Sequence, residues 1–239
     1  DYAAARRRLI RSGEAWKEMP PAGDVRNYPG AAALPEPALG EPAPLADTSY
    51  ACAVDAAGNA FSTTPSDGSS ATPVIPGTGL CPSSRGSQSW TDPSHPAALA
   101  PGKRPRLTPN PALALRDGKL YMPFGSPGND IQPQAMLQVF LNIVLWDMDP
   151  QSAVEAPRFS TYSFPSSSEP HAYHPGRLNL ESRIDRSTVD QLAALGHTVA
   201  PWSEIEWRAG AVCAIRVNPE TGLLEGAADP RRPCYALGV

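Results

Sequence analysis

The sequence predicts an α+β fold in which β-hairpins carry helices packed against them. Short alternating segments recur in pairs across turn residues, one pair joined by Asp117-Gly118, a strong hairpin signal. An apolar helical period runs through residues 134–146. Proline and glycine, 29 and 19 of 239 residues, punctuate the chain while staying below the roughly 25–30% that marks low complexity.

Residues 2–18, YAAARRRLIRSGEAWKE, carry Ala, Leu and Arg at helical frequency and predict a helix that stops at Met19-Pro20-Pro21. Residues 20–47 hold seven prolines and almost no apolar period, so they predict an extended connector. Residues 49–55 alternate, Ala56-Ala57-Gly58-Asn59 turns, and residues 60–64 return. The Ser-, Gly- and Pro-rich stretch 65–109 is too long for an ordinary connection, and loops of that length in compact domains are usually functional. Residues 113–116 and 119–124 make the next hairpin. The helix after it is apolar at Met136, Leu137, Phe140, Leu141, Val144 and Leu145. Asp149-Pro150 predicts a short helix with an N-cap and a first-turn proline, and 186–195 another that ends at Gly196. Strands at 212–217 and 222–226 turn at Asn218-Pro219-Glu220-Thr221.

The net charge of −4 provides no basic field for nucleic acid or an anionic membrane. No apolar run approaches the roughly 20 residues that span a bilayer, and no basic-then-apolar signal segment opens the chain. The cytoplasm is favoured over the periplasm. Cys52, Cys81, Cys213 and Cys234 form no C-x-x-C pair, which points to buried free thiols rather than a disulfide framework. His95, His171, His174 and His197 show no metal-binding spacing, so neither a catalytic metal nor a cofactor is expected.

Four places carry chemistry. In TSYACAVDAAGNAFS, Thr48 leads into the first strand. If the Asp47-Thr48 bond were cut, its new α-amine, with a pKa of roughly 7.7–8.0, would act as base on its own hydroxyl. Otherwise Thr48 is a β-branched strand starter. Gly125-Ser126-Pro127-Gly128-Asn129-Asp130 joins a strand to a helix, either as an oxyanion hole of backbone N–H groups or as a tight turn. Arg85 among small hydroxyl residues, and the cations Lys103, Arg104 and Arg106, would serve as an anion fork or as solvated surface charge.

Together, TSYACAVDAAGNAFS, VIPGTGL, PGKRPRLTPNPAL, GSPGNDIQPQAMLQVFLNIV and PQSAVEAPRF, in this order, resemble the γ-glutamyltransferase family of N-terminal-nucleophile hydrolases. The resemblance runs from YAAARRRLI to GLLEGAADPRR. It implies a four-layer αββα sandwich and a precursor that cuts itself. Residues 1–47 would be the large subunit's tail and processing linker, and 48–239 the small, catalytic subunit. Most of the large subunit would lie outside this chain, which alone is expected neither to fold stably nor to turn over. The partners implied are that subunit and a small-molecule amide.

Residue by residue, the resemblance implies Thr48 as autoprocessing residue and nucleophile, and Ser66 as its supporting hydroxyl. Gly128 and Asn129 match the oxyanion pair, with Asn129 where the family has a second glycine. The positions that hold an α-amino acid in γ-glutamyl enzymes read differently here: Gly68, residues 83–88 including Arg85 and Gln88, and Leu107-Thr108. A site that lacks the acidic partner and carries a guanidinium suits an anionic substrate without an amino group. Asp130, Gln132, Pro133 and Gln134 match the GD-x-QPQ pattern of the amidohydrolase branch, which includes oxamate amidohydrolase. Arg85, Gln88, Thr108, Asp130 and Gln132 are therefore expected to bind substrate. Alternatives are γ-glutamyl transfer or glutathione hydrolysis, and an unprocessed, catalytically silent relative acting as a binding or structural protein.

Overall fold

A computed structural model describes residues 2–21, 23, 48–67, 72–104 and 106–238. In chain order the elements are α1 (Tyr2–Arg7), β1 (Ala51–Val54), β2 (Ala60–Thr63), β3 (Ala112–Arg116) and β4 (Lys119–Gly125). Then follow α2 (Gln132–Leu145), α3 (Pro150–Glu155), β5 (Phe159–Thr161), β6 (Arg177–Glu181), α4 (Arg186–Ala194), β7 (Thr198–Trp202), β8 (Cys213–Val217) and β9 (Leu224–Ala227). Single 3₁₀ turns lie at Ser84–Gln88, Asn129–Ile131 and Trp207–Ala209. The strands form three sheets, β1-β2, β3-β4-β8-β9 and β5-β6-β7, so the fold is α+β as the patterning predicts.

The layering follows from one pair of neighbours on β4. Phe124 stacks on Phe140 of α2 with ring centroids 5.6 Å apart, while a Cβ on Gly125 would run into the Tyr50 ring. Successive strand residues point to opposite faces. The helices therefore cover one face of the four-stranded sheet and the β1-β2 hairpin the other. Gly125 is the residue that lets Tyr50 lie against the backbone. The core between sheet and helices is built from Met122, Ile131, Ala135, Met136, Val139, Ile143, Val154 and Val212.

The hairpin's register is set by its turn. Asp55 accepts from the backbone N–H groups of Ala57 and Asn59 and from the Asn59 amide, and Gly58 supplies a φ of 81°. Ala51 then pairs with Thr63. Ser49 N donates to Pro65 O at 2.9 Å, which carries the same register outward and sets Thr48 opposite Ser66. A slip by one residue would turn every side chain over and separate them.

Several expectations are corrected. The helix expected over 2–18 ends at Arg7: Leu9 and Ile10 donate to carbonyls only three residues back, the tightening typical of a helix end, and none of its residues is buried. Ala15 N bonds to Leu195 O instead. Helix α2 begins two residues earlier than expected, with Pro133 in its first turn, and buries Gln132, Ala135, Met136, Val139 and Ile143. Leu137, Val144 and Leu145, expected in its core face, are exposed. The connector expected over 20–47 lies outside the described residues apart from Pro20, Pro21 and Gly23.

Strands β5, β6 and β7 have no counterpart in the sequence reading. Each is short, β7 contains Pro201, and β5 takes part of its pairing from a helix rather than a strand. Gln134 and Gln138 of α2 each bond with both the N–H and the C=O of a β5 residue, Thr161 and Phe159 respectively. Four helical residues rise about 6 Å and two strand residues about 6.8 Å, so an i, i+4 glutamine pair matches alternate strand residues. This is the structural work of Gln134 in the QPQ motif. No helix among the described residues is long and apolar enough to cross a membrane.

Candidate active site

The Thr48 hydroxyl lies 2.5 Å from the Ser66 hydroxyl, the contact that the hairpin register prepares. Arg85 holds Ser66 from the other side. Its Nε donates to the Ser66 carbonyl, its Nη2 to the Ser66 hydroxyl, and its Nη1 to Thr108 Oγ1 at 2.9 Å. Gln88, fully buried, also donates to Thr108 Oγ1 at 3.3 Å. The 3₁₀ turn Ser84–Gln88 puts Arg85 and Gln88 on this spot, and Ser83 caps it by accepting from Arg85 N. Four residues singled out from sequence, Ser66, Arg85, Gln88 and Thr108, thus converge beside Thr48.

The hydrogen-bond inventory tells what remains for a ligand. A guanidinium has five N–H donors; three are used, leaving one on each terminal nitrogen of Arg85. Thr108 Oγ1 accepts from two donors, so its own O–H points elsewhere. These are donors only, the chemistry of a carboxylate pocket. Burial lowers the Arg85 pKa from its ordinary value and Asp67 opposes the shift; the group remains a cation. A cation donating to Ser66 also polarises the Ser66–Thr48 pair, which favours negative charge developing on the Thr48 oxygen.

The loop at 125–130, the candidate oxyanion hole, is held from behind. Gly128 has φ 134° and Asn129 φ 53°, so Asn129 occupies the left-handed region that its place in a glycine position requires. Asparagine tolerates that region better than other side chains. A Cβ on Gly128 would lie 3.3 Å from Gly210 Cα, and one on Gly210, φ 81°, would lie 2.7 Å from Ser126 Oγ. Ser126 is fully buried, accepts from Ala211 N and donates to Pro127 O. The loop therefore seats glycine to glycine on residues 209–211, a dependence that sequence reading missed because Gly210 stands in no motif. Gly210→Ala should cost about 1–3 kcal/mol from backbone strain and crowding, read as a lower urea midpoint with unchanged m.

Thr48 and Pro127 line one cavity of about 910 Å³, with Tyr50, Cys52, Trp207, Cys213, Arg232 and Cys234 among the other walls. Gly128 and Asn129 follow Pro127 but do not line that cavity, and neither do Arg85 and Thr108. The polar cluster stands on the Ser66 side of Thr48, where the Arg85 and Thr108 donors suit an anion.

Asp130 and Gln132 do not join the cluster. The Asp130 carboxylate accepts from Ser167 N at 2.7 Å, from the Ser167 hydroxyl and from Arg106 at 3.0 Å, tying the loop at 125–130 to residues 166–171. Gln132 is fully buried at the start of α2 with neither amide atom hydrogen-bonded. The long loop carrying Arg85 is tied to the same segment: Trp90 is sandwiched between His95 at 3.8 Å and His171 at 3.9 Å, and Glu169 N donates to Ser87 O. Asp47, Gly68 and Pro105, which figured in the sequence reading, lie outside the described residues.

Known proteins share this arrangement of strands and loops. The family model described as gamma-glutamyltranspeptidase matches residues 1–239. The chain belongs to the gamma-glutamyltranspeptidase family. Among its relatives, the oxamate amidohydrolase proenzyme of Klebsiella pneumoniae subsp. pneumoniae is 39% identical over 172 residues, which cover 69% of this chain and 30% of that protein. The solved structure of LmbA2991HD superposes on all of this chain and 42% of its own, with a TM-score of 0.88 and 36% identity. The gamma-glutamyltranspeptidase of Pseudomonas nitroreducens complexed with L-DON gives a TM-score of 0.65 at 26% identity, covering 80% of this chain and 98% of that one. This family member thus spans about a third of the length of its amidohydrolase relative.

Proposed function

We propose that this chain carries the catalytic residues of a self-cleaving amidohydrolase whose substrate is a small amide bearing a carboxylate, with oxamate as the candidate. The reading is carried by the Thr48–Ser66–Arg85–Thr108 chain of contacts, in which a nucleophilic hydroxyl and a set of cationic and hydroxyl donors share one neighbour. Residues 1–47 are the large subunit's tail and linker, residues 48–239 the small subunit, and the rest of the large subunit is the partner.

In the first turnover the Thr48 hydroxyl attacks the Asp47 carbonyl and water opens the resulting ester, freeing the Thr48 amine. In later ones the amine takes the hydroxyl proton as the oxygen attacks the substrate amide. The tetrahedral oxyanion sits at the backbone N–H groups of Gly128 and Asn129. Collapse breaks the C–N bond, the proton leaves with ammonia, and water hydrolyses the acyl ester to regenerate Thr48. Arg85 and Thr108 hold the carboxylate through their unused donors.

Purified, processed full-length protein should release ammonia from oxamate. Arg85→Ala should raise KM about 10- to 150-fold, the loss of charge-assisted hydrogen bonds, with a smaller change in kcat. No ammonia from correctly processed protein would overturn the reading. Preferred turnover of a γ-glutamyl anilide would replace it with γ-glutamyl transfer, the activity named for the Pseudomonas nitroreducens relative.

A further inference from the structure

Three of the four cysteines, expected from sequence to be separate buried thiols, meet at the cavity beside Thr48. None is fully buried, and Cys81 is exposed elsewhere. Strand geometry explains the meeting. Thr48, Tyr50 and Cys52 alternate along one side of the β1 segment. Cys213 pairs directly with Gly125, the residue whose open face receives Tyr50, and paired residues share a face. Cys213 and Cys52 therefore face each other across the space between hairpin and sheet. Cys234 arrives from the irregular segment after β9, where Arg232 lies 3.7 Å over the Trp207 ring.

The thiols are not equivalent. Cys52 is hydrogen-bonded to Tyr50, and burial raises its pKa, so it stays protonated. Cys213 and Cys234 hydrogen-bond to each other. That contact and burial push Cys213 up, while the Cys213 bond, with help from Arg232, pulls Cys234 down to about 7 against burial and Asp229. Two thiols in contact at a cavity wall, one of them pulled toward the thiolate by its partner, are the arrangement of a disulfide-exchanging pair.

We propose that Cys213 and Cys234 form a redox-active dithiol that a low-molecular-weight disulfide oxidises to an intrachain bridge, tethering the segment after β9 to β8 at the wall of the Thr48 cavity. The Cys234 thiolate attacks one sulfur of the disulfide, whose S–S bond breaks and releases one thiolate. Cys213 then attacks Cys234 in the mixed disulfide and expels the second thiolate, and its proton passes to that leaving group. One small disulfide becomes two thiols, and two protein thiols become one disulfide. The proposal does not depend on the reaction assigned to Thr48.

The test is peptide mass mapping of the processed full-length protein after incubation with glutathione disulfide under native conditions and trapping with iodoacetamide. The expected product is a Cys213–Cys234 linked peptide lacking two hydrogens, with Cys52 alkylated only after unfolding and Cys81 carrying at most a glutathione adduct. In Cys213→Ser, Cys234 should stop at the mixed disulfide, and its alkylation should rise at a higher pH than in the wild type. Unlinked Cys213 and Cys234 in oxidant-treated wild type, or a bridge from either to Cys52 or Cys81, would overturn the proposal without need of any variant.

Discussion

Thr48→Ala is expected to leave the full-length protein as one chain, while the wild type should separate into two, the smaller beginning at Thr48. Intact-protein mass spectrometry reads both outcomes directly. The expectation rests on geometry as well as residue type: the hairpin register places the hydroxyl against Ser66, which Arg85 polarises. Amide turnover in the variant should fall by about 10⁴-fold or more, the scale seen when a nucleophilic unit is broken. Thr48→Ser keeps a hydroxyl on the same backbone and should still cleave. Ser66→Ala should cleave more slowly, because the Thr48 oxygen loses its neighbour while the loop donors remain. A wild-type protein that stays whole has no free amine at Thr48, and the proposed mechanism would fall with it.

Asp229→Ala should be the most destabilising single change away from the nucleophile. Arg158, Glu181, Asp229 and Arg231 are all fully or nearly buried and form one network. Arg158 pairs with Asp229 at 2.6 Å, Arg231 with Glu181 at 2.6 Å and with Asp229 at 3.2 Å. Both arginines also donate to carbonyls at the end of α3, Val154 O from each and Ala156 O from Arg231. Asp229 accepts from Val212 N, and Glu181 from the backbone of Arg158 and Glu206. The network joins α3, β6, the residue before β8 and the segment after β9, and Arg158 reaches Ala209 O next to the glycine that backs Gly128. Removing one carboxylate strands buried cations, a loss of about 3–5 kcal/mol. Urea denaturation of the full protein measures it, with Asp190→Ala at the exposed Arg186–Asp190 pair as a control that should leave the curve unmoved.

The same network sets an acid limit. Burial raises the Glu181 pKa, but the Arg231 hydrogen bonds and the backbone donors outweigh it, and the carboxyl is held below its ordinary value. A group depressed on folding contributes stability that is present above its unfolded pKa, about 4.3, and lost as pH falls through the folded one. Unfolding free energy should therefore decline below about pH 4.3, and the decline should shrink in Glu181→Gln.

Legibility in the sequence followed the distance over which each feature is decided. The three hairpins, α2, α3 and α4 were readable because turn chemistry at residues 55–58, Asp117-Gly118 and residues 218–221, the Asp149-Pro150 cap and the helical period act within a few residues. The small-residue turn at 125–130 between β4 and α2 was readable for the same reason. Thr48 and Arg85 stood out within their own segments, each beside a bland alternative, and the five-motif family pattern then implied their roles. Helix α1 was overextended because composition favours a helix through Trp16, whereas Ala15 pairs instead with Leu195.

By itself the sequence determined the α+β class, the hairpin turn that sets Thr48 opposite Ser66, and the small-residue loop that accepts left-handed backbone at Asn129. Only the tertiary structure decided that Arg85 and Gln88 reach Thr108, that Gln134 and Gln138 act as a strand edge, and that Gly210 backs Gly128. It alone brought PRF and ADPRR together around Glu181 and gathered Cys213 and Cys234 at one cavity wall. The physical reason is separation along the chain. Turns, caps and periods are fixed by neighbours in sequence, whereas Arg231 and Glu181 stand 50 residues apart and Gln151 and Ala228 stand 77 apart. Such partners carry no mutual signature until packing of sheet, hairpin and helices removes water from between them and leaves each buried charge one place to go.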